Sequence, residues 1–205
     1  MNKTIIIVLV ICVVLFIAYL VSFSVIRNKI TNKAFNTIKN KNTEELNKVL
    51  SSKSANFFLK PFELYRLRLI YAASKGNDKE IEKSYASFDQ LRMNKSEKEN
   101  IYSDAYFYFM SKQDNANAKK YYELLEQIGD YKNKFNIQCS YNTFIEHDYK
   151  YLEDAIIRYN SSSNTNKVSL ASLISAMYAN KGDAANSKKF DDIAKSGINK
   201  QYNNN

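Results

Sequence analysis

The chain has 205 residues, with 16 Tyr and 12 Phe but only four Gly, one Pro and no Trp, which excludes collagen-like, Pro-rich and disulfide-stapled architectures. Thirty Lys and Arg against 21 Asp and Glu give a formal net charge of +9. One His and two Cys leave no zinc site and little of the usual catalytic material.

The first element is apolar. Thr4 to Ile26 carries no charge, and Ile5 to Val21 is an unbroken apolar run, long enough as a helix to cross a hydrocarbon core of roughly 30 Å. The segment is expected to be a transmembrane anchor over residues 1–29, with Cys12 as a small apolar filler. A cleaved signal peptide is the competing reading, since Ser22 and Ser24 are small residues at a possible cleavage site, but the apolar run exceeds the usual ~7 to 15 residues. Beyond it come Arg27, Lys29, Lys33, Lys39 and Lys41, against Lys3 alone before it. This bias puts the C-terminal side in the cytoplasm of a single-pass cell-membrane protein. Residues 27 to 60 hold eight basic and two acidic side chains, a net +6, and residues 61 to 205 hold 21 and 19. The basic excess can meet anionic head groups, and the balanced remainder gives nucleic-acid binding little support.

After the anchor, turn signals recur: Asn42-Thr43, Gly76-Asn77-Asp78, Gln113-Asp114-Asn115, His147-Asp148 and Gly182-Asp183. From Thr43 through Asp78, Asp114, Asp148 and Asp183 the steps are 35, 36, 34 and 35 residues, a period that points to repeated units. Apolar residues flank each turn at helical spacing: Leu170, Leu173, Ile174 and Met177 before one, Leu152, Ala155, Ile156 and Tyr159 after another. Gly76 and Gly182 are expected to end first helices, and Gly129 and Gly197 to end second helices, each in the left-handed conformation. Pro61 opens a helix, and Asn42/Glu45, Asn77/Glu80 and Ser96/Glu99 have capping-box spacing. Ser161 to Asn166 reads as a polar link.

Helix pairs joined by a tight Gly-Asp-type turn at a period near 34 resemble the tetratricopeptide repeat (TPR) family over about residues 30 to 197. In the third unit Tyr102 and Phe109 look like the large residues of the family's first helix, Ala118 like the small residue where helices cross, and Tyr122 and Leu125 like the packing positions that follow. The family's Trp is absent, and Ile81 stands at the crossing position of the second unit. The resemblance implies an all-α fold, a TPR-like α-solenoid of about five helical hairpins behind the anchor, with 198–205 as a loose tail. It also implies a non-catalytic scaffold with a protein or peptide ligand in a concave groove. Of the run Tyr106-Phe107-Tyr108-Phe109, the two Phe are expected in the core, and Tyr102, Tyr106, Tyr108 and Tyr141 are the candidate groove residues.

No residue set carries chemistry. His147 beside Asp148 reads as a polar turn, and Cys139 lies eight residues away, about 12 Å along a helix. Glu44-Glu45 and Asp191-Asp192 are neighbours that diverge by about 100° on a helix. No glycine-rich phosphate loop occurs, so no enzyme activity and no cofactor is expected. The expected role is an adaptor at the cytoplasmic face; the alternative is an extracytoplasmic tethered scaffold holding envelope or exported polypeptides.

Overall fold

The computed structural model describes residues 3–40, 42–162 and 164–202; of the sequence-predicted basic residues, Lys41 lies outside them. The described residues form eleven α-helices and no strand: α1 (Lys3–Lys39), α2 (Thr43–Ser51), α3 (Lys53–Phe58), α4 (Pro61–Ser74), α5 (Asp78–Phe88), α6 (Lys95–Ser111), α7 (Asn115–Ile128), α8 (Lys134–Phe144), α9 (Leu152–Ser161), α10 (Asn164–Lys181) and α11 (Ala184–Tyr202). Two compact units divide the chain, Met1–Glu97 and Lys98–Asn205.

The period in the sequence marks one repeated joint. At Gly76 the chain turns left-handed (φ 63°); the Gly76 N–H donates to the Ala73 carbonyl (3.0 Å) and the Asn77 N–H to that of Ala72 (3.2 Å). This pair of bonds closes α4 by satisfying carbonyls left over at its end. Asn77 then starts α5, its side chain accepting from the Glu80 N–H (3.3 Å). Gln113-Asp114 repeats the joint between α6 and α7, and Gly182-Asp183 between α10 and α11, with Asp114 and Asp183 accepting from Asn117 and Asn186 at 3.1 Å. Asn42 caps α2 from Glu45 (3.1 Å) while its own N–H reaches back to Thr37 (2.9 Å). One residue thus ends a helix and starts the next.

The fourth joint differs. His147 takes the left-handed position (φ 52°), but the Asp148 carboxylate accepts from its neighbour Tyr149 (2.6 Å), and α9 starts only at Leu152. Asn180 of α10 steadies this longer turn, donating to the carbonyls of Thr143 (2.8 Å) and Asp148 (3.2 Å).

In the first unit α1 does two jobs. Its residues from Leu9 to Val21 are exposed on every side, Leu15 at 63%, while Ala34 is fully buried with Leu46, Leu50, Ala55, Leu59, Leu64 and Leu67. The sequence boundary at residue 29 therefore falls inside one continuous helix whose last turns belong to the core. Among the described residues this is the one helix long and apolar enough to cross a membrane. Two of the predicted membrane-proximal basic residues are engaged within the protein: Arg27 forms an ion pair with Glu63, and Lys33 with Glu45 at 3.2 Å. Lys29 and Lys39 are exposed.

In the second unit Cys139, Leu152, Ala155, Ala171, Ile174, Met177 and Phe190 pack together. Ala118 is fully buried, and Tyr121 stacks on Phe109 with ring centroids 5.6 Å apart. Several sequence expectations change here. Gly197 lies within α11 instead of ending it, and a Cβ there would collide with Val168 of α10, so it serves close helix approach. The capping box of α6 is Asn94/Glu97, reciprocal at 2.9 Å, and not Ser96/Glu99. The polar link shrinks because α9 runs through Ser161 and α10 begins at Asn164, while α11 runs on to Tyr202.

Candidate functional site

A groove of about 1340 Å³ opens in the second unit, walled by α6, α8 and α10 with the C-terminal turn of α9. Its apolar side chains include Phe107, Met110, Phe144 and Leu173; Asn133, Asn136, Asn166 and several serines supply amides and hydroxyls. Among the described residues Arg158 is the only charged side chain in the wall, and its guanidinium carbon sits 3.7 Å over the Phe135 ring, a cation–π contact that fixes the charge at the rim. Phe107 and Phe144 are 47% and 44% exposed. Two solvated aromatic rings among amide and hydroxyl groups give the wall both apolar surface and hydrogen-bonding groups.

The aromatic assignments of the run on α6 are partly reversed. Phe109 is buried as expected, but Phe107 faces the groove, and Tyr106 is fully buried. The Tyr106 hydroxyl lies 2.6 Å from the Ser140 hydroxyl instead of facing a ligand, and Ser140 donates onward to the Ile137 carbonyl (3.0 Å). Burial pushes the Tyr106 phenol far above its usual range, with the Ser140 bond opposing. Tyr141 is buried too, stacked on Tyr122 at 3.8 Å and donating to Glu146 (2.6 Å). Tyr102 packs on Tyr121, ring centroids 6.0 Å apart, and Tyr108 is half-buried against Phe109. Of the four predicted groove tyrosines, none lines the groove. The reason is rotation: Tyr102, Ala105, Tyr106 and Phe109 recur at three, four and seven residues and turn inward together, which points Phe107 outward. That stripe was the available signal for Phe107; nothing in the sequence singled out Phe144 or Arg158.

Cys139 is fully buried, and burial pushes its thiol up to about 12, which removes the thiolate that reactivity needs. His147 holds a turn. Among the described residues no cluster of three His, Cys, Asp or Glu could hold a metal ion. Comparison with known proteins finds no family model, no curated protein and no solved structure that matches this chain.

Proposed function

We propose that the protein is a single-pass, membrane-anchored adaptor of TPR-like helical hairpins, about five in number, whose second unit receives an extended polypeptide at the cytoplasmic face. The observation that carries the reading is the double life of α1: large apolar residues exposed on every face from Leu9 to Val21, then Ala34 and Thr37 buried in the first unit. Water does not tolerate such a continuous apolar surface, and a bilayer does. The same helix thus carries both the apolar segment and part of the core of the first unit.

The groove supports the other half. Among the described residues its wall has one charge and many amide and hydroxyl groups around Phe107 and Phe144, which suits main-chain recognition with two apolar side chains as anchors. Tethering confines the partner search to a thin layer beside the bilayer and raises effective concentration without new contacts. The basic residues after the anchor support a cytoplasmic domain.

A photo-crosslinking residue placed at Ser172, in the groove wall, tests this in cells of the source organism. The expected result is a discrete set of crosslinked proteins that disappears in Phe107→Asp and Phe144→Asp. An unchanged crosslinking pattern in both variants would remove the groove from the account.

A further inference from the structure

A second apolar surface lies beside the anchor. Helix α3 is held by Ala55 and Leu59, both buried in the core of the first unit, and opened by Ser52, whose hydroxyl accepts from the Ala55 N–H at 3.1 Å. Residue 57 lies about 200° around the helix from residue 55, so its side chain points away from that core. Phe57 is 70% exposed, more than any other large apolar residue described. It is not isolated: its ring lies 5.0 Å from Phe58 and 6.5 Å from Phe23 of α1, and Phe23 lies 5.0 Å from Phe58 and 6.2 Å from Tyr19.

The depth of this cluster follows from the anchor. Roughly 20 helical residues cross a hydrocarbon core of about 30 Å, so a span starting at Ile5 ends near Ser24. Phe23 then sits at the edge of the hydrocarbon, and Phe57, in ring contact with it, sits at the same level. Aromatic side chains concentrate at that boundary. Lys29, Lys53 and Lys60 are exposed: Lys29 lies nearly two turns beyond Phe23 along α1, Lys53 opens α3 and Lys60 follows it in sequence. Basic residues there complement anionic head groups. Arg27, one turn past Phe23, is turned to Glu63 and ties α4 to the same level.

We infer that α3 is an interfacial foot: Phe57 and Phe58, joined to Tyr19 and Phe23, insert into the bilayer boundary and seat the first unit on the lipid surface. The inference rests on the anchor reading above and adds a second, non-spanning contact with the same membrane.

The chain contains no Trp, so a single substitution creates a unique fluorophore. The full-length protein is reconstituted in phosphatidylcholine–phosphatidylglycerol vesicles as Phe57→Trp, with Leu15→Trp as a reporter inside the span and Ile157→Trp as an exposed reporter in the second unit. Bromine-labelled acyl chains should quench Phe57→Trp at least about twofold, and aqueous iodide should leave it nearly untouched, as for a ring at the boundary. Ile157→Trp should behave in the opposite way. Three results overturn the inference. Iodide quenching of Phe57→Trp equal to that of Ile157→Trp would leave the ring in water. Shielding from both quenchers would mean that protein covers it. Absence of bromolipid quenching for Leu15→Trp would remove the anchor itself; quenching of Leu15→Trp without Phe57→Trp would remove the foot alone.

Discussion

Arg27 of α1 reaches across 36 positions to grip both carboxylate oxygens of Glu63 in the first turn of α4, its Nε donating at 3.0 Å. Glu63 also accepts from the Lys60 N–H (3.1 Å), so one carboxylate caps α4 and holds it to the helix that continues into the apolar span. The pair is about one-third exposed on each side, which limits its worth to about 1 kcal/mol.

Breaking that pair should loosen the first unit and leave the span intact. Arg27→Ala and Glu63→Ala are each expected to destabilise, and Arg27→Lys should not restore the wild type because a single ammonium cannot make the forked contact. A double-mutant cycle by denaturant unfolding in detergent micelles should return a coupling of about 0.5 to 1 kcal/mol. A coupling of zero would show that the geometry carries no energy.

The helix joints predict opposite responses to glycine. Gln113 holds φ 58° where Gly76 and Gly182 stand in the equivalent turns. A side chain in the left-handed region costs about 1 kcal/mol, so Gln113→Gly should raise stability by about that much and Gly182→Ala should lower it. Thermal melting of the two variants in parallel checks the sign. A loss in both would mean that the Gln113 side chain contributes more than its backbone strain removes.

Thr143 offers a second stabilising change. Its hydroxyl oxygen is buried with no hydrogen-bond partner, although its carbonyl accepts from Asn180. A buried unsatisfied group costs about 1 to 3 kcal/mol, and valine keeps the branched shape without it. Thr143→Val is therefore expected to unfold at higher denaturant concentration. If it unfolds earlier, the hydroxyl has a partner that the fold requires.

Alkali should attack the second unit through its tyrosines. Burial raises the phenols of Tyr106, Tyr131 and Tyr141, with Glu126 adding to the rise at Tyr131 and Glu146 at Tyr141, and it pushes Tyr122 up to about 12. A raised phenol favours the neutral form in the fold. Its contribution is complete below the unfolded value of about 10 and is lost as pH climbs through the folded values. Phenolate absorbance should therefore show a fraction of the 16 tyrosines ionising late, together with loss of helical circular dichroism. One ordinary transition near pH 10, with helicity retained, would contradict the burial of this cluster.

The all-helical class and the apolar first helix are legible in the sequence. The turn signals at Asn42, Asn77, Asp114 and Asp183 are legible because their short side chains cap the next helix, and capping is local chemistry; Asp148, the fourth signal along the chain, does not cap α9. Helix rotation is written more faintly. Tyr106 and Phe107 differ by one position: the stripe of Tyr102, Ala105, Tyr106 and Phe109 is the signal that turns Phe107 outward, and Tyr106 packs inward against Ser140 and Tyr122. Gly197 misled because a glycine near a helix end and a glycine at a close helix crossing read alike in sequence. The foot at Phe57 was invisible for the same reason: its meaning depends on lying beside Phe23.

The central claim is an anchored chain whose folded units face the cytoplasm, and one labelling experiment addresses it. Ala185→Cys adds an exposed thiol to α11, while Cys139 is buried and Cys12 lies within the span. The account predicts that the protein stays with membranes through alkaline carbonate washing and that a membrane-impermeant maleimide labels Ala185→Cys only after the cells are permeabilised. Release of a soluble chain lacking the apolar segment, or labelling of intact cells, would contradict it.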